Sequence, residues 1–289
     1  MAAEGPVGLR GWTLLGILAA GLWAAWALRL DPAGLVPGQG GLAVARELFA
    51  RAASPALAYE AEVVPEGIVP LWLRALQASR TTVVFAAAAV SLSAACGLLL
   101  GFLASTAWWA DDPAGGRAGL SKRIRRAAAP LLYGATRTLV ALMRSVHELL
   151  WAVLFLAALG RSNLTAVIAI AIPYAGTLAK VFSELIDEAP REAAAALRAA
   201  GAGPLQVFLF GLLPRALPDM SAYALYRFEC ALRSSAILGF FGYPTLGYYI
   251  AASFENLHYG EVWTYLYTLV ALVALVDLWS GVLRRRFVR

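Results

Sequence analysis

The sequence predicts an all-α integral membrane protein with about six transmembrane helices. Of its 289 residues, 61% are hydrophobic and only 15% are charged, and the mean hydropathy is +0.68. An average soluble domain carries about 25% charged residues, so this composition excludes a soluble enzyme, a disordered regulator and a secreted disulfide scaffold. Because a membrane-spanning helix needs about 20 apolar residues, a chain of this length with short loops holds roughly five to seven spans.

The charge distribution fits a membrane protein better than a nucleic-acid-binding protein. The net charge is +6, from 24 basic and 18 acidic residues. The basic residues cluster beside apolar runs, as the positive-inside rule expects. Cys96 and Cys230 lie in apolar stretches without metal-ligand spacing. With His147 and His258 as the two histidines, a multi-histidine metal site cannot be built, and we expect no metal in this chain.

The amino-terminal part, residues 1–79, is predicted to hold one helix and a polar segment. The apolar run Gly11–Leu28 is too long for the core of a typical signal peptide and is not followed by a clear cleavage site, which favours an uncleaved first helix. Residues 31–79 contain five acidic and three basic residues. Within them, Leu42–Ala52 is typical of a short amphipathic helix and Pro65–Gly67 of a turn.

The second span and the loop after it set the predicted orientation. Residues 81–110 are uncharged, and Asp111, Asp112 and Pro113 then interrupt the run. The next loop holds the densest basic cluster between spans, from Arg117 to Arg126, which places it in the cytoplasm by the positive-inside rule. Six spans then leave both termini cytoplasmic, with the acidic segment 31–79 outside and the basic tail on the same side as this loop: Arg284, Arg285, Arg286 and Arg289.

The remaining spans follow from apolar runs and their breaks. We predict a third helical stretch that is bent near its middle, then three more spans; the four ranges are Pro130–Gly160, Leu164–Val181, Leu217–Gly239 and Val262–Leu283. Glycines and a proline between residues 239 and 247 interrupt the chain before the last span, which indicates short half-helices there.

Ionisable residues inside predicted spans are candidates for function, because each is costly at membrane depth. On the third helix, Arg144 and Glu148 are spaced to pair at i, i+4, and on the fifth helix Glu229 and Arg233 have the same spacing. Two interpretations stay open: the pairs hold helices together, or they belong to a polar translocation path or gate. Arginine suits an anionic substrate, because its planar fork binds phosphate or phosphonate oxygens bidentately.

The segment 184–214 is the most specific part of the sequence. It predicts an alanine-rich cytoplasmic helix, with Pro190 at its first position and Gly201 as its carboxy-terminal cap. The segment resembles the EAA loop of ABC importer permeases: Gly201, Leu213 and Pro214 keep the family's spacing. Three residues depart from it: Ala195, followed by Ala196, stands in the place of the glutamate, Glu192 lies three residues earlier, and Gly211 replaces the hydrophobe.

Two further stretches are similar to the phosphonate-type branch of this superfamily. Residues 226–229 together with 233–239, which include Arg227, Ser234 and Ser235, resemble its fifth-helix signature. Residues 144–152 resemble its third-helix motif, with His147 in the place of a proline. The resemblance covers roughly residues 80–289, which we take as one permease domain with type I architecture.

The resemblance implies a transport subunit that performs no catalysis. ATP and Mg²⁺ would be bound by a cytoplasmic ATPase dimer docked on the coupling helix, and a phosphonate-binding protein would deliver the substrate from outside. A second permease copy would complete the pathway in the inner membrane of a bacterium. The chain itself contains no G-x-x-x-x-G-K-[ST] phosphate loop. Three alternatives remain open: a permease for methionine or phosphate, an intramembrane enzyme, and a passive scaffold.

Overall fold

The computed structural model describes residues 9–31, 34, 38–109 and 120–287, which form helices joined by turns, without a β-strand among them. The chain divides into two compact units, residues 1–54 and 55–289. The first contains α1 (Leu9–Ala27) and α2 (Gln39–Ala50), followed by a 3₁₀ turn at Arg51–Ala53. The short helix predicted in this region is confirmed. The predicted break at Asp111–Pro113 and Arg117 lie outside the described residues.

The second unit is a bundle of long helices with short ones between them. Its long helices are α3 (Leu71–Ala104), α5 (Leu120–Ser145), α7 (Asn163–Glu188), α10 (Leu213–Ile237) and α12 (Tyr259–Phe287). The shorter ones are α4 (Thr106–Trp109), α6 (Glu148–Leu159), α8 (Glu192–Ala199), α9 (Pro204–Gln206) and α11 (Leu246–Glu255). A π-helical turn, Val207–Leu212, joins α9 to α10.

Helix length and apolarity alone identify fewer spans than the six predicted. Among the described residues, α3, α7 and α12 are long and apolar enough to cross a membrane, and the bent pair α5–α6 makes a fourth. Helix α1 has a shorter apolar stretch, Gly11–Ala27. Helix α10 has the length of a span but carries charged residues along it, among them Arg227, Glu229 and Arg233, so hydropathy alone does not mark it.

Helices α3 and α7 form the most extensive contact and run in the same direction. The Ser93 hydroxyl of α3 donates to the Ala171 carbonyl of α7 at 3.0 Å, and Ser105, just after α3, donates to Asp187 at 2.7 Å. Between these contacts the helices approach closely at Gly97, where an added Cβ would lie 2.7 Å from the Leu178 Cβ. Small residues at such positions are the usual means of close helix packing in membranes.

The segment before α3 is fixed to the first turns of α12. The Glu60 backbone N–H donates to the Glu261 carboxylate at 2.9 Å, and the Gly260 N–H donates to the Glu60 carboxylate at 2.9 Å. The Thr264 hydroxyl donates to the Ala56 carbonyl at 2.6 Å. We call these contacts the 55–70 clamp. They tie residues far apart in sequence into the same end of the bundle.

Tyr59 completes this region. Burial raises the pKa of its hydroxyl above the usual value near 10, and the charge of Arg74 opposes that rise. The neutral hydroxyl donates to the Val69 carbonyl at 3.0 Å. The guanidinium of Arg74 lies between the rings of Tyr59 and Tyr249, at 5.7 and 5.9 Å from their centroids, so a cation–π contact covers a charge at the start of α3.

Candidate functional site

The third helical stretch is broken at His147. Helix α5 ends at Ser145, α6 begins at Glu148, and the two axes differ by 91°. His147 has φ −67° and ψ 147°, and its Nδ1 accepts a hydrogen bond from the Leu149 N–H at 3.3 Å. A φ of this size is the one to which a proline ring is fixed, so His147 holds the conformation that proline would impose and adds a side-chain cap. The bend predicted from the sequence is confirmed.

The break separates two residues that the sequence placed on one helical stripe. Because α5 ends before Glu148 begins α6, the predicted i, i+4 pair between Arg144 and Glu148 is not formed. Glu148 Oε1 instead accepts a hydrogen bond from the Ser234 hydroxyl of α10 at 2.8 Å. Its other oxygen lies 3.5 Å from His147 Nε2.

A buried polar chain links three helices at this point. The Ser234 hydroxyl lies 2.9 Å from the Tyr174 hydroxyl of α7, as well as bonding Glu148 of α6. The side chains of Tyr174 and Ser234 are both buried. Tyr174 stands near the middle of α7, eleven residues after Asn163, which is about 16 Å along a helix. The polar chain therefore lies deep within the bundle.

Arg227 covers the face of Tyr174. Its guanidinium carbon lies 4.2 Å from the centroid of the tyrosine ring, and its Nε is buried without a hydrogen-bond partner in the described structure. Arg137 of α5 repeats this arrangement over Tyr133 at 5.2 Å, and its Nε is likewise buried and unpartnered. Cation–π contacts reduce the cost of such charges but leave the two buried Nε–H groups without an acceptor.

The arginines of α5 and α10 are not neutralised by carboxylates of the same chain. In the described part of the chain, no ion pair involves the side chains of Arg137, Arg144, Arg227 or Arg233. Arg144 and Arg227 both lie close enough to Tyr223 to act electrostatically on its hydroxyl. Arg233 is exposed and contacts the Cys230 sulfur at 3.5 Å. This region of the bundle therefore carries an excess of positive charge.

The sequence predicted a pair between Glu229 and Arg233, and this pair is not formed. The Oε1 of Glu229 lies 2.9 Å from Nη2 of Arg284, near the end of α12. Glu229 makes a contact between two helices in place of the local i, i+4 pair, because its side chain points towards α12. Arg284, interpreted from the sequence as a topological charge at the carboxy terminus, has a packing role as well.

Ser235 faces a different neighbour from Ser234. Its hydroxyl donates to the Thr82 carbonyl of α3 at 2.9 Å, and the Thr82 hydroxyl accepts from the Leu246 N–H at 3.2 Å. Ser235 and Thr82 are fully buried. The adjacent serines therefore divide their roles: Ser234 belongs to the polar chain with Glu148, and Ser235 joins α10 to α3 and α11.

The predicted coupling segment forms an exposed helix with a small-residue face. Helix α8 begins at Glu192, so the prediction that Pro190 occupies its first position is wrong: Arg191 precedes the helix as its N-cap. The helix ends before Gly201, whose φ is +83°. The predicted cap is confirmed, since a positive φ favours glycine. The residues exposed on one face recur at i, i+3, i+4 and i+7: Glu192, Ala195, Ala196 and Ala199.

The opposite face of α8 packs on the π-helical turn. Ala194 is buried there, and a Cβ added at Gly211 would lie 3.2 Å from the Ala194 Cα. The close approach explains why a glycine replaces the hydrophobe expected at Gly211. Leu213 and Pro214 then start α10, where proline is tolerated in the first turn.

The comparison of this sequence with protein-family models decides its family. The model for binding-protein-dependent transport system inner membrane components matches residues 118–289. The chain belongs to this family. Membership agrees with the prediction that the chain is a transport component of a membrane and not an enzyme. No group of three or more His, Cys, Asp or Glu side chains that could hold a metal ion occurs among the described residues.

Curated relatives of this family member transport phosphorus compounds. The chain is 41% identical over 161 residues to the phosphite transport system permease protein PtxC of Stutzerimonas stutzeri. The matched segment covers 55% of this chain and 58% of that protein. The chain is 31% identical over 159 residues to the phosphate-import permease protein PhnE of Mycolicibacterium smegmatis, covering 55% of this chain and 30% of that protein. The predicted resemblance to the phosphonate-type branch is confirmed. The chain spans about 58% of the length of the first of these relatives.

Solved structures confirm the predicted architecture of this inner membrane component. An inward-facing structure of the MetNI methionine ABC transporter matches with a TM-score of 0.59 and 22% identity, covering 74% of this chain and 96% of that one. The crystal structure of an amino acid ABC transporter with histidines matches with a TM-score of 0.58 and 15% identity, and the match covers 74% of this chain and 94% of that one. At this level of identity the likeness establishes the ABC importer permease fold.

Sequence reasoning missed two participants in the site. Tyr174 follows Pro173 in an apolar helix, and its ring and hydroxyl contact Arg227 and Ser234 respectively. A tyrosine in an apolar run is an ordinary packing residue on sequence grounds. Arg284 was assigned to the basic tail because its partner Glu229 is 55 residues away, beyond the reach of any local pattern.

Proposed function

We propose that this chain is the membrane-spanning permease subunit of an ABC importer that moves a phosphorus oxyanion, such as phosphite or a phosphonate, into the cytoplasm. The observation that carries the proposal is the set of arginines on α5 and α10 that lack a carboxylate partner, beside the Glu148–Ser234–Tyr174 chain. The names of the curated relatives support the same substrate class.

The charge balance favours an anion. An ionised group inside a bundle of apolar helices is costly unless it pairs or faces water. Arg227 and Arg137 each have a buried Nε without a partner, and Glu148 is already engaged by Ser234. An oxyanion can accept charge-assisted hydrogen bonds from guanidinium groups, often in bidentate geometry. A passing phosphorus oxyanion would thus supply the negative charge that the chain lacks.

The broken helix adds a second favourable feature. Discontinuous helices in transporters direct the positive amino-terminal ends of half-helices at anionic substrate groups. Helix α6 begins at Glu148, next to Ser234. The Glu148 carboxylate at this end opposes the helix dipole and repels an anion, so the arginines supply the attraction and the anion is able to leave. Arg144, Glu148, Arg227, Arg233 and Ser234 are therefore proposed to line the path, with Glu229 and Ser235 holding its walls.

The energy source is proposed to reside in partner chains. The exposed face of Glu192, Ala195 and Ala196 on α8 would dock on a cytoplasmic ATPase dimer that binds ATP and Mg²⁺. Small side chains allow a partner to approach closely, and Glu192 adds one charge at the first turn. A binding protein outside would deliver the substrate, and a second copy of the chain would complete the pathway, with both termini cytoplasmic.

The test is uptake by the reconstituted complex. The chain is placed in liposomes with a candidate ATPase and a candidate binding protein from the same organism, and ATP hydrolysis and uptake are measured with phosphite, 2-aminoethylphosphonate, phosphate and methionine. Stimulation that needs all three proteins and a phosphorus oxyanion supports the proposal. Stimulation by methionine alone would refute the substrate class, and failure to assemble with any ATPase would refute the importer.

A further inference from the structure

A groove along α3 is lined by residues that take no part in the polar contacts described above. It encloses about 670 Å³ between α3, the start of α7 and Pro244. That volume lies within the range of small-molecule sites, about 300–1,000 Å³. Val84, on the wall of the groove, is 57% exposed, so the groove is open on one side and no described part of this chain covers its apolar wall.

The polar residues of the groove lie at one end. Gln77 and Arg80 come from the first turns of α3, and Asn163 is the first residue of α7. The other end is formed by apolar side chains further along the same two helices: Val84, Phe85, Ala88 and Val167. Ala88 follows Gln77 by eleven residues, or about 16 Å of helix. The groove thus changes from polar to apolar along the direction in which α3 and α7 run.

The polar end lies at the level of a membrane surface. Helix α7 starts there, preceded by the turn at Gly160–Ser162. Helix α3 is 34 residues long, about 51 Å, whereas the hydrocarbon core is about 30 Å thick. Arg74 and Arg80 precede the uncharged run 81–110, so we assign the excess length to the first turns of α3, which puts Arg80 beside the headgroups and Ala88 among acyl chains.

The charge of the groove is positive and uncompensated. No carboxylate lines it, and Arg80 makes no ion pair among the described residues. Basic side chains at membrane surfaces attract anionic lipid headgroups, and a guanidinium binds phosphate oxygens with charge-assisted hydrogen bonds. An apolar trough that leads away from a cation fits a molecule with a phosphate at one end and a hydrocarbon chain at the other.

We infer that this groove is a binding site for one anionic phospholipid, with its phosphate beside Arg80 and an acyl chain along Val84 and Ala88. The site lies apart from the Glu148–Ser234–Tyr174 chain and does not depend on which solute is transported. A bound lipid would cover the open side of the α3–α7 pair and so stabilise the most extensive helix contact of the bundle.

Native mass spectrometry of the purified full chain tests this site. The protein is incubated with an equimolar mixture of phosphatidylglycerol and phosphatidylcholine in detergent, and the lipids retained per chain are counted. We expect retention of one phosphatidylglycerol, preferred about fivefold over phosphatidylcholine. Arg80→Gln should remove the preference. Arg215→Gln, which removes an exposed charge at the start of α10, should leave it unchanged.

A second variant tests the apolar end independently of charge. Ala88→Trp fills the groove and should reduce retention of both lipids at least about fivefold, whereas Leu99→Trp, at an exposed site on the same helix, should not. All variants are checked for monodisperse elution. Equal retention of the two lipids by the unaltered protein, or an undiminished preference in Arg80→Gln, would overturn the proposal. Absence of retained lipid together with loss of dimers in Ala88→Trp would assign the groove to contact between copies instead.

Discussion

The carboxylate of Glu229 lies 2.9 Å from the guanidinium of Arg284 and joins the middle of α10 to the end of α12. The two side chains are 13% and 29% exposed, so the pair is largely shielded from water. Removing one partner of a buried pair leaves an uncompensated charge, which is more costly than the pair is stabilising. Variants of this pair should therefore reveal how strongly the contact with α10 stabilises the end of α12.

Replacing Arg284 should destabilise the fold more than replacing a neighbouring arginine. We expect Arg284→Gln to cost about 2 kcal/mol, less than the roughly 3–5 kcal/mol of a fully buried pair, since Arg284 is partly exposed. Arg286→Gln, at an exposed position two residues away, is the control. Thermal unfolding in detergent measures both. The double variant Glu229→Gln/Arg284→Gln should recover part of the loss; no recovery would indicate that the pair is not coupled.

The stacking of Arg227 on Tyr174 predicts different effects for two tyrosine variants. Tyr174→Phe keeps the ring and should reduce uptake by about two- to tenfold, because one neutral hydrogen bond contributes about 0.5–1.5 kcal/mol. Tyr174→Leu removes the ring from beneath Arg227 and should reduce uptake by about thirtyfold or more, since a desolvated cation–π contact contributes about 2 kcal/mol. Uptake in liposomes and assembly by gel filtration are measured together. Equal reductions of uptake by the two variants would show that the stacking of Arg227 on Tyr174 does not contribute to transport.

The sequence predicted elements better than partners. Apolar runs and breakers located the bend near His147, the interruption after α10 and the cap at Gly201, because these depend on local backbone chemistry. Charge marked the start of the uncharged run at residue 81 and not the start of the helix: α3 begins at Leu71 and includes Arg74, which lies over two tyrosine rings. The predicted ion partner of Glu229, Arg233, was wrong because local spacing does not reveal which side chains meet across helices.

Gly201 offers a test of the coupling segment. Its φ of +83° is strained for a β-branched residue, so Gly201→Val should alter the end of α8 and uncouple ATP hydrolysis from uptake while membrane insertion stays normal. Asparagine tolerates the left-handed region, so Gly201→Asn should retain most of the coupling. ATPase activity and uptake are measured in the same liposomes. Full coupling in Gly201→Val would exclude this segment from transmission.

The 55–70 clamp should depend on Glu60 and not on its exposed neighbour. Glu60 accepts the Gly260 N–H with its side chain and donates its own N–H to Glu261, which is only 5% exposed. Glu60→Ala leaves the Gly260 N–H without its carboxylate partner, and local opening should become more frequent. Hydrogen exchange across residues 55–70 should then speed up at least about fivefold, from the roughly 1–3 kcal/mol cost of an unsatisfied group. Glu62→Ala, at an exposed position two residues away, should leave exchange unchanged. If both variants exchange at the rate of the unaltered protein, the clamp is held by the two contacts that do not use the Glu60 side chain: the Glu60 N–H with Glu261 and the Thr264 hydroxyl with Ala56.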